Sequence, residues 1–222
     1  MGIRPRLFFL ILFALFSVTA HADKRADLYY QQAIRLHGSA SVEEVFALYT
    51  KAAELGNAAA QYNIAMMYSN GEAVNVDYQQ ALYWFNKSAS QQFPPAQYRL
   101  GELYFFGMGG LPKDTKSAKR LFNAAAEHGD IDAQLNLAIL LGTGHAPDME
   151  KALYWLTQAH EGGHESAQHY LELLQANGNG GFTESQGDAY WKQQEAFWIE
   201  MAAEFGVREA REAIARPPGK GR

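Results

Sequence analysis

The dipeptide Ala-Gln recurs along this chain at nearly constant intervals, and this repetition constrains the fold more than any other feature of the sequence. The dipeptides begin at Ala60, Ala96, Ala133 and Ala167, so the spacings are 36, 37 and 34 residues. A glycine follows each alanine by eleven residues, and a Ser or Asp, residue types that cap helices, precedes it by nineteen. The spacings differ because the connector between each glycine and the next capping residue varies in length. A repeat of this kind predicts stacked units that share one continuous core.

Each unit is predicted to contain two α-helices. In the first helix, apolar residues four and seven positions after the alanine form one face, as Ile64 and Met67 do. In the second helix, apolar residues lie four, seven and eleven positions after the cap. The predicted caps are Ser41, Asp77, Asp114 and Asp148. Outside the repeats we predict a lone helix over residues 23–37 and a longer helix beginning at residues 183–186.

The repeat resembles a known family. Residues 77–89 (DYQQALYWFNKSA) and 96–107 (AQYRLGELYFFG) are similar to the SEL-1-like repeat, a relative of the tetratricopeptide repeat, and the resemblance extends over residues 41–210. It implies an all-α protein, an α/α solenoid with a right-handed superhelix of about four to five helical hairpins and atypical terminal helices. It also implies a scaffold for other proteins, without catalytic activity. A cysteine-rich exported branch of the family is associated with penicillin-type compounds, but this chain has no Cys.

The N-terminus carries a predicted export signal. Arg4 and Arg6 precede the apolar residues 7–18, and Ala20-His21-Ala22 follows as a site for cleavage after Ala22. The apolar run is too short for a membrane anchor. We therefore expect a periplasmic or secreted protein without stable membrane insertion after cleavage. The predicted organisation is a signal peptide at 1–22, a capping helix at 23–40, the solenoid at 41–215 and a disordered tail at 216–222.

Charge and cysteine content exclude several classes of function. Without residues 1–22, the chain has 17 basic and 24 acidic residues, a net charge of −7. An acidic surface disfavours nucleic-acid binding. The absence of Cys excludes a disulfide framework, a thiolate metal site and a cysteine nucleophile. No cofactor is implied.

Residues 160–164 match the zinc-peptidase motif His-Glu-x-x-His and provide one alternative, a metal-dependent hydrolase that uses His160 and His164. The motif requires both histidines on one continuous helix. Here two glycines separate them, and Gly163 falls where Gly56 and Gly129 lie in other units. We therefore predict a turn between helices, with no metal site and no catalytic residues.

A candidate binding surface comes from positions two, six and nine after the repeat alanines. These positions share a helix face that is separate from both apolar stripes, and by analogy with tetratricopeptide repeats they line a concave groove. The predicted partner-binding residues are Tyr62, Met66, Tyr98, Glu102, Phe105, Leu135, Ile139 and His169. A solvent-facing row rich in aromatic and aliphatic side chains favours a docked partner protein. The alternative is that neighbouring turns of the superhelix or the terminal helices cover this row.

Two biological roles remain open for such a scaffold. Exported relatives of this kind include immunity proteins against secreted toxins and assembly factors for envelope or flagellar motor complexes. The sequence does not identify the partner and so does not choose between these roles.

Overall fold

The computed structural model describes residues 23–143 and 148–176, together with positions 185, 186, 189 and 192. The two continuous ranges form nine helices and no strand. The helices are α1 (23–36), α2 (Val42–Glu54), α3 (Ala58–Asn70), α4 (Tyr78–Ser90), α5 (Pro94–Phe106), α6 (Thr115–Glu127), α7 (Ile131–Gly142), α8 (Met149–Glu161) and α9 (Ala167–Ala176). The expected signal peptide and tail lie outside the described residues. None of the described helices has the length and hydropathy needed to cross a bilayer.

The architecture is the α/α solenoid that the repeat predicts. From α2 to α9, each helix packs on its neighbours in sequence, most extensively within the hairpins α3–α4, α5–α6 and α7–α8. We call α3, α5, α7 and α9 the first helices, and α2, α4, α6 and α8 the second helices. Their solvent-facing sides are called the first-helix face and the second-helix face.

Local signals account for the constant helix lengths. Ser41 accepts a hydrogen bond from the Glu44 amide at 3.2 Å and begins α2. Asp77, Asp114 and Asp148 cap the other second helices in the same way. The first helices α3 and α5 end at Gly71 and Gly107, both left-handed, as the spacing predicts. The repeat therefore encodes where its helices begin and end.

The predicted apolar stripes form the core. The repeat alanines are fully buried in all four units, together with Ile64, Leu100 and Leu137 four residues later. In the second helices, positions four, seven and eleven after the cap are buried, except for the half-buried Trp155. Position eight after the cap, which lies outside the predicted stripe, is also buried. Its occupants are Tyr49, Phe85, Phe122 and Leu156.

The glutamine of the Ala-Gln dipeptide links successive units. It is buried at Gln61, Gln97 and Gln134. The side-chain amide of Gln61 donates to the Ala53 carbonyl at 3.0 Å, and that of Gln134 donates to the Ala126 carbonyl at 3.3 Å. Both carbonyls lie in the last turn of the preceding second helix, where they also accept from the backbone amides of Gly56 and Gly129. In the last unit the glutamine differs, because the exposed Gln168 donates to Glu172 of its own helix.

One turn between units departs from the glycine pattern. Gly56, Gly129 and Gly163 have φ values of +103°, +86° and +92°, whereas Gln92 adopts φ +61° at the corresponding turn. A left-handed conformation costs a non-glycine residue about 1–2 kcal/mol.

We therefore expect Gln92→Gly to raise the free energy of unfolding by about 1 kcal/mol in urea titrations. The control, Ser90→Gly in the last turn of α4, should lower it, and an increase for both variants would contradict the proposed strain at Gln92.

Candidate functional site

The structure divides the predicted partner-binding row into three groups. Glu102, Leu135 and Ile139 are buried, with Glu102 only 2% exposed. Tyr62, Met66, Tyr98 and Phe105 are half-buried, and His169 is exposed. The expectation that the whole row faces solvent is therefore wrong for Glu102, Leu135 and Ile139.

Packing between neighbouring units explains this burial. Leu135 and Ile139 belong to the same core cluster as Phe122, and the half-buried Tyr98 and Phe105 pack against that cluster. Side chains of α5 and α6 therefore help to enclose the row on α7. In the third unit, the structure therefore matches the alternative in which adjacent turns of the superhelix cover the row.

A set of polar contacts connects α2, α3, α5 and α7, and we call it the tyrosine ladder. In each contact, the residue three positions after a repeat alanine interacts with a tyrosine of an earlier helix, and Asn136 donates to the Tyr98 hydroxyl at 3.3 Å. The pairs are Asn63 with Tyr49, Arg99 with Tyr62, and Asn136 with Tyr98. The sequence contained a signal for the ladder, because Asn63, Arg99 and Asn136 are polar at one fixed repeat position.

The buried carboxylate of Glu102 is satisfied within the ladder. The Tyr98 hydroxyl donates to Glu102 Oε1 at 2.7 Å, and Arg99 Nη1 lies 2.9 Å from Glu102 Oε2. Burial alone would lower the pKa of Arg99, but Glu102, Tyr62 and Tyr98 outweigh it and hold that pKa above its usual range. Arg99 therefore stays protonated, and its charge compensates the buried carboxylate of Glu102.

The accessible part of the first-helix face is apolar and aromatic. The Tyr62 ring lies 5.9 Å from the Phe85 ring and 5.7 Å from the Phe93 ring, and Phe105 packs edge-on to Phe106 at 5.0 Å. Helix α3 has no charged residue, and the two charges of α5 form the Arg99–Glu102 pair. These rings are held by neighbours and lose little conformational freedom on contact with a partner.

The two motif histidines lie on opposite sides of a turn. Helix α8 ends at Glu161, after His160, and Gly163 is left-handed. His164 Nε2 lies 3.4 Å from Asp132 Oδ1, while its Nδ1 accepts from the Ser166 amide at 3.2 Å. The hydrogen bond with His164 is the main reason that the pKa of Asp132 lies below its usual range. The predicted turn is present, and the described residues contain no group of three or more potential ligands suited to a metal ion.

These features define a class: an α-helical repeat protein whose successive units are joined by polar contacts and whose first helices present aromatic side chains. The Sel1 repeat family model matches residues 46–57, 58–93, 94–130 and 131–164. The last three matches coincide with the hairpins α3–α4, α5–α6 and α7–α8. Because the matches cover more than half of the chain, it belongs to the Sel1 repeat family.

Similar proteins fall into two groups. Among solved structures, a Sel1 repeat protein from Oxalobacter formigenes is 28% identical, with a TM-score of 0.59, and the match covers 86% of this chain and 75% of that protein. Among curated proteins, chitin synthase regulatory factor 4 of Schizosaccharomyces pombe is 28% identical, covering 71% of this chain and 27% of the relative. An exopolysaccharide production negative regulator of Rhizobium leguminosarum is 31% identical, covering 56% and 52%. The chain therefore spans about half or less of these two regulators.

Proposed function

We propose that this protein is an exported, non-catalytic scaffold that binds a partner protein on its first-helix face. The observation that carries the proposal is the row of half-buried Tyr62, Met66, Tyr98 and Phe105 beside charges that are already paired. Aromatic anchors of this kind, fixed by their neighbours, contribute much of the binding energy at protein interfaces. The names of the two curated relatives describe regulators, which supports a role through binding.

The proposed location rests on the basic and apolar N-terminal segment, which has the pattern of an export signal. In the periplasm, the partner would be either a toxin that the scaffold sequesters or a component of an envelope or motor complex that it helps to assemble. The neighbouring genes distinguish these roles, because an immunity gene lies beside the gene of its toxin.

Photo-crosslinking in the producing bacterium tests the binding face. A photoreactive phenylalanine at Met66 or Phe105 should crosslink one defined protein, identified by mass spectrometry, and the same probe at Asn123 on the second-helix face should not crosslink that protein. Adding Met66→Glu should abolish the crosslink formed from position 105, because a carboxylate desolvated in an apolar contact is strongly unfavourable.

The folding of each variant is checked by circular dichroism. Met66 is half-buried, so Met66→Glu is compatible with a folded chain. An equal yield of the same crosslinked protein from all three positions, or a crosslink from position 105 that survives Met66→Glu, would refute the proposed face.

A further inference from the structure

The second-helix face carries its own repeated surface feature. Six residues after the cap, each second helix from α4 to α8 presents a large side chain to solvent, and these side chains are Tyr83, Arg120 and Tyr154. Tyr83 is 48% exposed and Tyr154 is 55% exposed. Their common register places two tyrosines in one row, with an arginine between them.

The three helices are successive second helices, and two observations relate them on this face. Leu121 of α6 packs in the same core cluster as Leu82 and Trp84 of α4. Lys119 of α6 is close enough to the start of α8 to help lower the pKa of Asp148, which is lowered mainly by its hydrogen bonds with Lys151. Directly packed helices lie about 8–10 Å apart, and α4, α6 and α8 are separated by the first helices that pack between them, so the row extends about 20 Å or more from Tyr83 to Tyr154.

Neighbouring side chains hold both exposed tyrosines in place. Tyr83 packs edge-on to the buried Trp84, and Tyr154 packs in the same way on Trp155, each with a distance of 4.9 Å between ring centroids. Lys87 Nζ lies 4.7 Å from the centre of the Tyr83 ring. Rings held in this way contact a ligand with little loss of conformational entropy.

Positive charge is concentrated between the tyrosines. Lys116, Lys119 and Arg120 are exposed on α6, whose first acidic residue is Glu127 in the last turn. Of the nearby carboxylates, Asp114 accepts from the backbone amides that begin α6, Asp148 pairs with Lys151 at 2.6 Å, and Glu150 is exposed in the first turn of α8. This basic strip belongs to a chain whose net charge is −5. Charge complementarity at the strip therefore favours an acidic ligand.

We propose that the second-helix face binds an acidic, extended peptide segment of a protein, which crosses α4, α6 and α8. Its carboxylates lie over Lys116, Lys119 and Arg120, and an apolar side chain at each end packs on Tyr83 or Tyr154. At about 3.3 Å per residue, a span of about 20 Å corresponds to roughly six residues. A peptide fits better than an anionic membrane, because Glu127 and Glu161 at the ends of α6 and α8 would repel a broad negative surface.

Nuclear magnetic resonance titration of the isotopically labelled protein tests this second site. The probe is the amidated peptide Phe-Ser-Glu-Glu-Glu-Ser-Phe, and its control replaces the three Glu by Lys. We expect the acidic peptide to shift amide resonances of α4, α6 and α8 with a Kd below about 1 mM, and the control to bind at least about tenfold more weakly. The variant Lys119→Glu/Arg120→Glu should lower the affinity for the acidic peptide by at least about tenfold, and about 0.5 M salt should lower that affinity as well.

Two control variants show whether the peptide binds at the basic strip. Lys51→Glu changes a charge on α2, outside the strip, and should leave the affinity unchanged. Met66→Glu, which tests the first-helix face, should also leave it unchanged, so the two proposals can fail independently. The proposal is overturned by unchanged spectra at about 5 mM peptide, by shifts restricted to α3, α5 and α7, by equal binding of both peptides, or by binding only to phosphatidylglycerol vesicles.

Discussion

Replacing Phe122 by alanine is expected to lower the free energy of unfolding by about 3–5 kcal/mol. The Phe122 ring is fully buried, and it packs against the Tyr98 ring at a centroid distance of 5.7 Å. Truncation removes the apolar contacts of the ring and leaves a cavity at the junction of α5, α6 and α7. Urea unfolding followed by circular dichroism measures the loss.

The matched control for Phe122→Ala is Leu153→Ala, which truncates a side chain that is 43% exposed on α8. This change should alter the free energy of unfolding by no more than about 0.5 kcal/mol. The Tyr98 ring packs on Phe122 and its hydroxyl takes part in the tyrosine ladder. Because contacts between adjacent repeats stabilise a solenoid, removal of the Phe122 ring should also weaken the ladder contact at Tyr98. A loss below about 1 kcal/mol would show that Phe122 is not a major part of the core.

Replacing Gly101 by valine is expected to lower the free energy of unfolding by about 2–3 kcal/mol. A Cβ atom at Gly101 would lie only 2.7 Å from Cε1 and 2.8 Å from Cδ1 of Phe122. The ring has no free space to move into, because it is fully buried. The added side chain therefore forces α5 and α6 apart, and urea unfolding again provides the measurement.

A compensating pair tests whether the contact with Phe122 causes this loss. The third unit has Ala138 and Leu156 at the positions of Gly101 and Phe122, and both residues are buried. The double variant Gly101→Ala/Phe122→Leu copies that pair. We expect it to be more stable than the sum of its single variants predicts, by about 1 kcal/mol or more. Additive effects would indicate that the two positions are independent.

The sequence predicted the fold well because helix boundaries and core positions are local properties. Capping residues such as Asp77 and the stop glycines Gly71 and Gly107 act within one turn of their helix. The spacing of apolar residues reports which side of a helix is buried. Position eight after the cap was missed because its occupants, among them Tyr49 and Phe122, widen the buried stripe beyond positions four, seven and eleven.

The predicted binding row was less accurate, because its exposure depends on contacts between units. The same register position holds the half-buried Tyr62 and Tyr98 but the buried Leu135. Helical periodicity shows which residues share a side of a helix, but it does not show how closely the next unit approaches. The buried Glu102 is stable in its position only because Arg99 and Tyr98 satisfy it.

By itself, the sequence determined the repeat, the helices, the capping residues and the turn that separates His160 from His164, since each depends on residues close together in the chain. Only the tertiary structure decided which side chains remain accessible, how Asn63, Arg99 and Asn136 connect the units, and where Tyr83, Arg120 and Tyr154 form one row. Those properties arise from distances between residues on different helices, and the packing of successive helices sets these distances.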